Sequence, residues 1–333
     1  MSDILLWRSR RRTGKIDSRN RSAATILRSN SLAIASYAGF GGNSSDGGAG
    51  SFLALNTGFN PGIVWTKCLS SSARSHRLNN QPQNWTMIID PSNTINRVTT
   101  DSPELQAYAN GYTFFSTPSY GANNFDYLSL AWRLDPSAGT AIVTWLGNGS
   151  TRVLTHNLGV APTLIWVKNT SLSGAMAAYC ASLDNASSNA LFFNSSAPAS
   201  SATYWNSTQP TTTQFSVGST FSQSSRNYVA YLFAPVPGVF ASGRYTGTNL
   251  SPGPIVNAGL TPNLVLLRSI TTGDWFWFNR LRGGNRYLVA NQTFSETIST
   301  PGSLAIEFQA NGFQVGNHSS INSAQDYLWW AWA

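Results

Sequence analysis

Charge is scarce in this chain. Charged residues make up 10% of its 333 positions, against about 25% in an average soluble protein. Cysteine is scarcer still: Cys68 and Cys180 are the only two. That number excludes a disulfide framework, and two inert buried thiols are expected instead. His76, His156 and His318 stand alone, with no Cys, Asp or Glu at metal-ligand spacing. Glycine-rich phosphate loops and nucleophile elbows are missing. No metal site and no cofactor is expected. No apolar run approaches the roughly 20 residues of a membrane-spanning helix. "ILLW" is too short for the core of a secretory leader, so neither span nor leader is expected.

Ser, Thr, Asn and Gly fill the space that charge leaves, while hydrophobic residues hold at 41%. A disordered chain would lack that apolar content. The sequence therefore describes packed cores under an uncharged polar surface. The charge present is unevenly placed. Residues 1–30 carry eight of the 21 basic residues and two acids, hence +6 of the net +8. A basic arm over residues 1–31 is expected, with Arg8, Arg10, Arg11, Arg12, Lys15, Arg19 and Arg21 as its charge. Such an arm can be a solvated tail, a nucleic-acid-binding segment or an anchor ordered by an acidic socket.

One twelve-residue phrase occurs three times. It reads "NTGFNPGIVWTK" at 56–67, "NLGVAPTLIWVK" at 157–168 and "NAGLTPNLVLLR" at 257–268. Gly58, Gly159 and Gly259 suit a left-handed turn. Pro61, Pro162 and Pro262 suit the entry to a strand rather than its middle. The apolar run that follows is strand chemistry. Lys67, Lys168 and Arg268 close the runs, where each strand is expected to leave the core.

Other landmarks recur in step. Each unit opens on an aromatic and a glycine (Tyr37 and Gly39, Trp145 and Gly147, Tyr245 and Gly247) and closes on "DYLSLAW", "NYVAYLF" or "DYLWWAW". "NGYTF" in the first unit matches "NGFQV" in the third, and the second keeps only "TQFSV". Short candidate strands alternate with polar turn clusters, and no long stretch has a helical apolar period. The expected fold is all-β: three tandem β-sandwich domains at 32–134, 139–235 and 237–333 after the basic arm. The joints "LDPSAG" and "APVPG" are short, so close coupling is expected.

No catalytic constellation emerges, and the chain is expected not to be an enzyme. Asp90, Asp184 and Glu307 could in principle pair as glycosidase carboxylates, but nothing in their spacing supports it. Glu307 in "LAIEFQ" is expected to point from a strand to solvent. Asp126 and Asp326 hold one repeat position and suit a strand-end hydrogen bond. Aromatics are abundant, with 12 Trp, 12 Tyr and 17 Phe. In "LWWAW", Trp330 and Trp332 share one strand face and Trp329 takes the other, so part of this set must leave its own domain core. Burial between domains or subunits is one outcome, and a sugar-stacking platform is the other. In the third unit, "DWFWF" runs straight into "NRLRGGNR". Trp275, Trp277, Arg280, Arg282 and Arg286 are therefore the candidate contacts for an anionic glycan or a phosphate, and a solvated hairpin is the other reading of the loop. Trp275 and Trp277 share a face in a regular strand, so both can instead be core.

The Gly-x-x-Pro phrase, the opening Tyr-x-Gly, the Trp-bearing strand before "RLRGG", the late Asn-Gly-Phe and the closing "YLWWAWA" together resemble a β-domain of roughly 100 residues. Such domains occur in virion proteins of marine tailed bacteriophages that are described as tail-fibre or structural. The third copy is the most similar; "NWTMIIDPSN" replaces the basic loop in the first, and the second lacks both loop and Asn-Gly-Phe. The resemblance implies a non-enzymatic virion component, a tail fibre or tail-associated receptor-binding protein. A capsid decoration or head-fibre protein is the alternative. A polysaccharide depolymerase and a coat protein with a genome-binding arm are more distant ones. The partners implied are other tail or capsid proteins through the arm, a host glycan, and further copies of the chain in a homo-oligomer. Neither membrane nor nucleic acid is expected among them.

Overall fold

The computed structural model describes residues 5–8, 10–11, 23–40, 51–85, 87–88, 98–99, 104–115, 118–122, 124–172, 174–193, 199–200 and 202–333. The fold is all-β, built from antiparallel sheets joined by loops and a few short helical turns. The chain divides into two compact units. The first is mainly Met1–Asp90 with Arg97–Leu134, and the second is mainly Asp135–Gln292 with Glu296–Ala333. The division falls within the "LDPSAG" joint. The first repeat is thus one unit, and the second and third repeats share the other.

The first repeat begins with β1 (Leu5–Arg8), β2 (Arg10–Arg11), β3 (Ala23–Arg28) and β4 (Leu32–Ala38). It continues through β5 (Ser51–Asn56), β6 (Pro61–Cys68), β7 (Arg77–Asn80), β8 (Met87–Ile88) and β9 (Val98–Thr99). It ends with β10 (Leu105–Tyr108), β11 (Gly111–Phe115) and β12 (Asp126–Arg133). One sheet runs β1-β3-β4-β12-β6-β7 and the other β10-β11-β5-β2, while β8 and β9 pair with each other. Tyr37, Val64 and Tyr127 from the first sheet meet Leu53, Leu55, Tyr112 and Phe114 from the second in one core. That is a sandwich.

A basic arm separate from every repeat is not what forms. β3 pairs with β4 through five residues from Ala24 to Arg28. Ala24, Ile26 and Leu27 are buried in the first repeat. The alternating apolar residues of "AATILR" have a sheet edge to cover, and burying them outweighs leaving them in water. β1 pairs with β3 and β2 with β5, so Arg8, Arg10 and Arg11 also lie on strands of this unit. Arg12, Lys15, Arg19 and Arg21 lie outside the described residues.

The second repeat comprises β13 (Thr140–Leu146), β14 (Arg152–Thr155), β15 (Leu164–Asn169) and β16 (Ala177–Cys180). β17 (Asn189–Phe192), β18 (Ala199–Ser200), β19 (Gln214–Val217) and β20 (Asn227–Phe233) complete it. The third comprises β21 (Phe240–Thr246), β22 (Ile255–Asn257), β23 (Leu264–Ser269), β24 (Phe276–Asn279) and β25 (Gly283–Val289). β26 (Thr297–Ile298), β27 (Ile306–Gln309), β28 (Gly312–Val315) and β29 (Asp326–Trp332) follow. Their large sheets run β13-β20-β15-β16-β17-β18 and β21-β29-β23-β24-β25-β26. Opening strand, closing strand, phrase strand and next strand therefore lie in one order in all three repeats. The small sheets, β14-β19 and β22-β28-β27, pair the strand before the phrase with the strand at or matching Asn-Gly.

The recurring residues have recurring structural tasks. Gly58, Gly159 and Gly259 have φ of +81°, +71° and +70°. The opening aromatic stacks on the closing tyrosine: Tyr37 on Tyr127 at 5.4 Å, Trp145 on Tyr228 at 5.2 Å and Tyr245 on Tyr327 at 5.1 Å. The opening glycine lets two backbones touch. A Cβ on Gly39, Gly147 or Gly247 would lie 1.8, 2.1 or 2.0 Å from a carbonyl oxygen. No side chain fits there.

The Gly259 turn offers a clean stability test. A Cβ at this residue meets nothing within 4 Å, so strain comes from φ alone. Gly259→Val is expected to cost about 1–3 kcal/mol, read as a lower urea midpoint for the second unit. Wild-type stability in that variant would mean that the turn relaxes to negative φ.

Candidate functional site

Trp275 and Trp277 do not form an exposed platform. They are 0% and 1% exposed. Phe276 and Phe278 face the third repeat's own core, and the strand alternation sends both tryptophans toward the second repeat. Trp275 stacks on Phe193 at 4.3 Å, and Trp277 meets Trp166 edge-on at 6.4 Å. Trp329 packs with Phe313 in its own core, whereas Trp332 meets Phe233 across the junction at 5.6 Å. Trp330 stacks on Trp275 at 5.5 Å. The aromatics that leave the third core are thus buried between repeats, because two apolar sheet faces in one compact unit exclude water from each other.

The rim of this junction is ionic. Arg244 Nη1 donates to Asp184 at 2.7 Å and its Nη2 to Asp326, which also accepts from Thr246 Oγ1. The Thr246 hydroxyl first, then Arg244, hold the Asp326 carboxyl below its usual range. A depressed carboxylate stabilises the fold above its unfolded pKa, and that contribution is lost as pH falls through the folded pKa. The second unit is expected to lose melting temperature below about pH 4. Asp326→Asn should flatten that decline and cost under about 1 kcal/mol at neutral pH, since the pair sits on a rim that solvent still reaches and screens. An unchanged acid profile in the variant would remove Asp326 as its source.

The three candidate arginines are already engaged. Arg282 and Arg286 both grip Glu296, at 2.6 and 3.0 Å. The Glu296 side chain is only 6% exposed. Arg280 donates to the carbonyls of Pro262 and Gln309 and lies over the Phe308 ring. The loop is therefore a clamp on its own repeat rather than an open cationic surface. Replacing all three arginines with Ala is expected to destabilise the third repeat by about 2–5 kcal/mol. A buried carboxylate loses its partners, and two carbonyls lose their donors. A melting curve identical to wild type would show that the clamp carries no stability.

The basic residue that closes each phrase is buried, contrary to the expectation that the strand leaves the core there. Lys67, Lys168 and Arg268 are all nearly inaccessible. Each turns its cation onto nearby carbonyls, at the end of its own strand or in the following loop. Lys67 Nζ donates to Cys68 O, Ser71 O and Arg74 O, and Lys168 Nζ to Gly174 O. Arg268 Nη1 donates to Ser269 O at 3.0 Å and its guanidinium lies 5.1 Å from the Trp275 ring centroid. Burial lowers the Arg268 pKa to about 10, so it remains charged at neutral pH. Three carbonyls solvate the lysine better than an open strand end would suggest. Only the threefold recurrence of a cation hinted at a fixed role.

A cleft of about 480 Å³ opens in the third repeat. Glu307 of β27 and Gln314 of β28 are register partners on the sheet face away from the core and, with Asn285, supply its polar groups. Pro252 and Pro301 are exposed apolar residues of its lining, while Ile306 and Val315, paired on the other face, are buried in the repeat's core. Glu307 is exposed, as its strand position suggested, and is the one carboxylate among the lining residues. Glycines bring the walls together. A Cβ on Gly284 would lie 1.7 Å from Ile306 O, and one on Gly316 would lie 2.0 Å from Ser303 O. Leu250, Ile255 and Ile298 of this repeat are 65%, 65% and 58% exposed.

A family model described as "Domain of unknown function (DUF7483)" matches residues 35–333. The chain belongs to that family. The matched stretch takes in all three repeats together and begins inside β4, leaving β1–β3 outside. No curated protein and no solved structure matches the chain. The cleft, the Arg clamp and the aromatic junction all lie within the DUF7483 match.

Catalytic groups do not converge among the described residues. Asp184 is held by Arg244 and Glu307 lines the cleft, while Asp90 lies outside the described residues. His76 accepts from Trp65 Nε1, both being buried, and His318 caps a helical turn. No group of three or more His, Cys, Asp and Glu could hold a metal among the described residues. Cys68 and Cys180 are buried free thiols.

Proposed function

We propose that the chain is a non-enzymatic structural protein of a tailed-bacteriophage virion, a tail fibre or tail-associated protein for host attachment. The observation that carries this reading is the nature of what repeats. The phrase glycine, the opening glycine, the stacked aromatic pair and the buried cation are all scaffold devices, present in each repeat. A chain that reproduces its scaffold three times, and varies its loops, suits a rigid presenting element. Short joints and a dry aromatic junction keep two of its repeats from swinging. The low surface charge and the cleft in the third repeat fit contact with a polar, uncharged partner.

Attachment to the particle is assigned to the basic segment before β3. Its net positive charge suits an acidic socket on another virion protein through Arg–carboxylate pairs. Labelling intact particles with an antibody against residues 237–333, and imaging them, tests the reading. Label at the tail is the expected result. Label over the capsid would move the assignment to a decoration or head-fibre protein, and absence from purified particles would end the virion reading altogether.

A further inference from the structure

We infer that the cleft of the third repeat is a binding site for a neutral saccharide. The proposal takes the attachment reading as its context and names the ligand chemistry and the residues. Its volume, about 480 Å³, falls in the range of small-molecule sites. The exposed rings of Pro252 and Pro301 in the lining offer apolar surface for the C–H face of a sugar ring. Glu307 stands exposed at the edge as an acceptor for hydroxyl groups, and a carboxylate that accepts hydroxyl donors makes the stronger class of hydrogen bond. Asn285 and Gln314 add amide groups that can both donate and accept. Gln314 Nε2 is held by Gly253 O at 3.1 Å and Asn285 Nδ2 by Ser299 O at 3.4 Å, so both amides are oriented before any ligand arrives.

Charge decides against an anionic sugar. No lysine or arginine lines the cleft, and Glu307 would repel a carboxylate or phosphate there. The nearby arginines are engaged elsewhere: Arg282 and Arg286 hold Glu296, and Arg280 holds two carbonyls. Backbone geometry decides against an added peptide strand. β27 is the outer strand of its sheet, yet Gly284 sits against Ile306 O and Arg280 donates to Gln309 O. With those carbonyls covered, the edge cannot extend a regular ladder. The "RGGN" loop thus serves the site through Gly284 and Asn285, which line the cleft, rather than through its arginines.

The test is a titration of the purified full chain with the neutral disaccharides chitobiose, lactose and maltose, with di-galacturonate as the anionic control. Saturable binding of at least one neutral probe is expected, followed by calorimetry or saturation-transfer NMR. Glu307→Ala and Gln314→Leu should each weaken that binding about tenfold or more while keeping the wild-type melting curve. No saturation by any neutral disaccharide, equal affinity in both variants, or preference for di-galacturonate would each overturn the proposal. Because the titration needs no particle, its failure leaves the antibody-labelling test of the attachment reading standing.

Discussion

Trp275→Ala is expected to lower the stability of the second unit by about 3–5 kcal/mol, the largest effect of any single substitution considered. Trp275 is fully buried, stacked on both Phe193 and Trp330, and donates through Nε1 to Phe192 O at 3.2 Å. Its removal opens a cavity between two sheets and strands that carbonyl. The cation of Arg268, which lies over the same ring, also loses its aromatic partner. Differential scanning calorimetry of wild type and variant checks this, with the second and third repeats melting together in the former. Separate transitions for the two repeats in the variant would identify Trp275 as a coupling residue. A melting temperature equal to wild type would mean that the junction contributes nothing to stability.

Deleting residues 1–30 is expected to destabilise the first unit by several kcal/mol, whereas deleting residues 1–22 should have a much smaller effect. The shorter deletion keeps β3, and the longer one removes a strand that holds Ala24, Ile26 and Leu27 in the core. Burying Ile and Leu side chains is worth about 1.5–3 kcal/mol each. The longer deletion also bares the β4 edge, whose paired backbone groups from Ala33 to Tyr37 would lose their partners. Urea denaturation followed by Trp65 and Trp132 fluorescence, in an isolated fragment 1–134 and its two truncations, reads the difference, since the first repeat forms its own compact unit. Equal midpoints for both truncations would mean that β3 merely rests on the sheet. The result also bears on attachment experiments. Any test of the basic segment should replace Arg12, Lys15, Arg19 and Arg21 and keep β3 intact.

The residue patterns account for the scaffold well. Asn-x-Gly-apolar-x-Pro names a left-handed turn into a strand, and all three glycines have positive φ. That inference is local: only a residue without a Cβ takes this φ without strain, so the reading does not depend on what surrounds it. The all-β class follows from period-two patterning for the same reason. Parity was equally legible. It put Trp275 with Trp277, and Trp330 with Trp332, on shared faces, because alternation is a property of one strand.

What lay beyond the sequence was always a matter of which surface covers which. Parity can say that Trp275 and Trp277 share a face, but not whether their own core, water, a sugar or the second repeat meets it. The tertiary structure supplies Phe193. Charge counting makes residues 1–30 a basic arm, yet "AATILR" within it pairs with β4, since backbone pairing carries no charge signature. Arg282 and Arg286 look like a cationic surface until Glu296, ten and more residues away in the chain, closes onto both. Lys67 and Lys168 look like strand ends until the following loops fold back and offer their carbonyls, and Arg268 does until the Trp275 ring covers its cation. Turn, strand and face are set by the few bonds around each residue and can be read along the chain. Partners across a sheet or a junction depend on long-range closure, and only the folded molecule decides them.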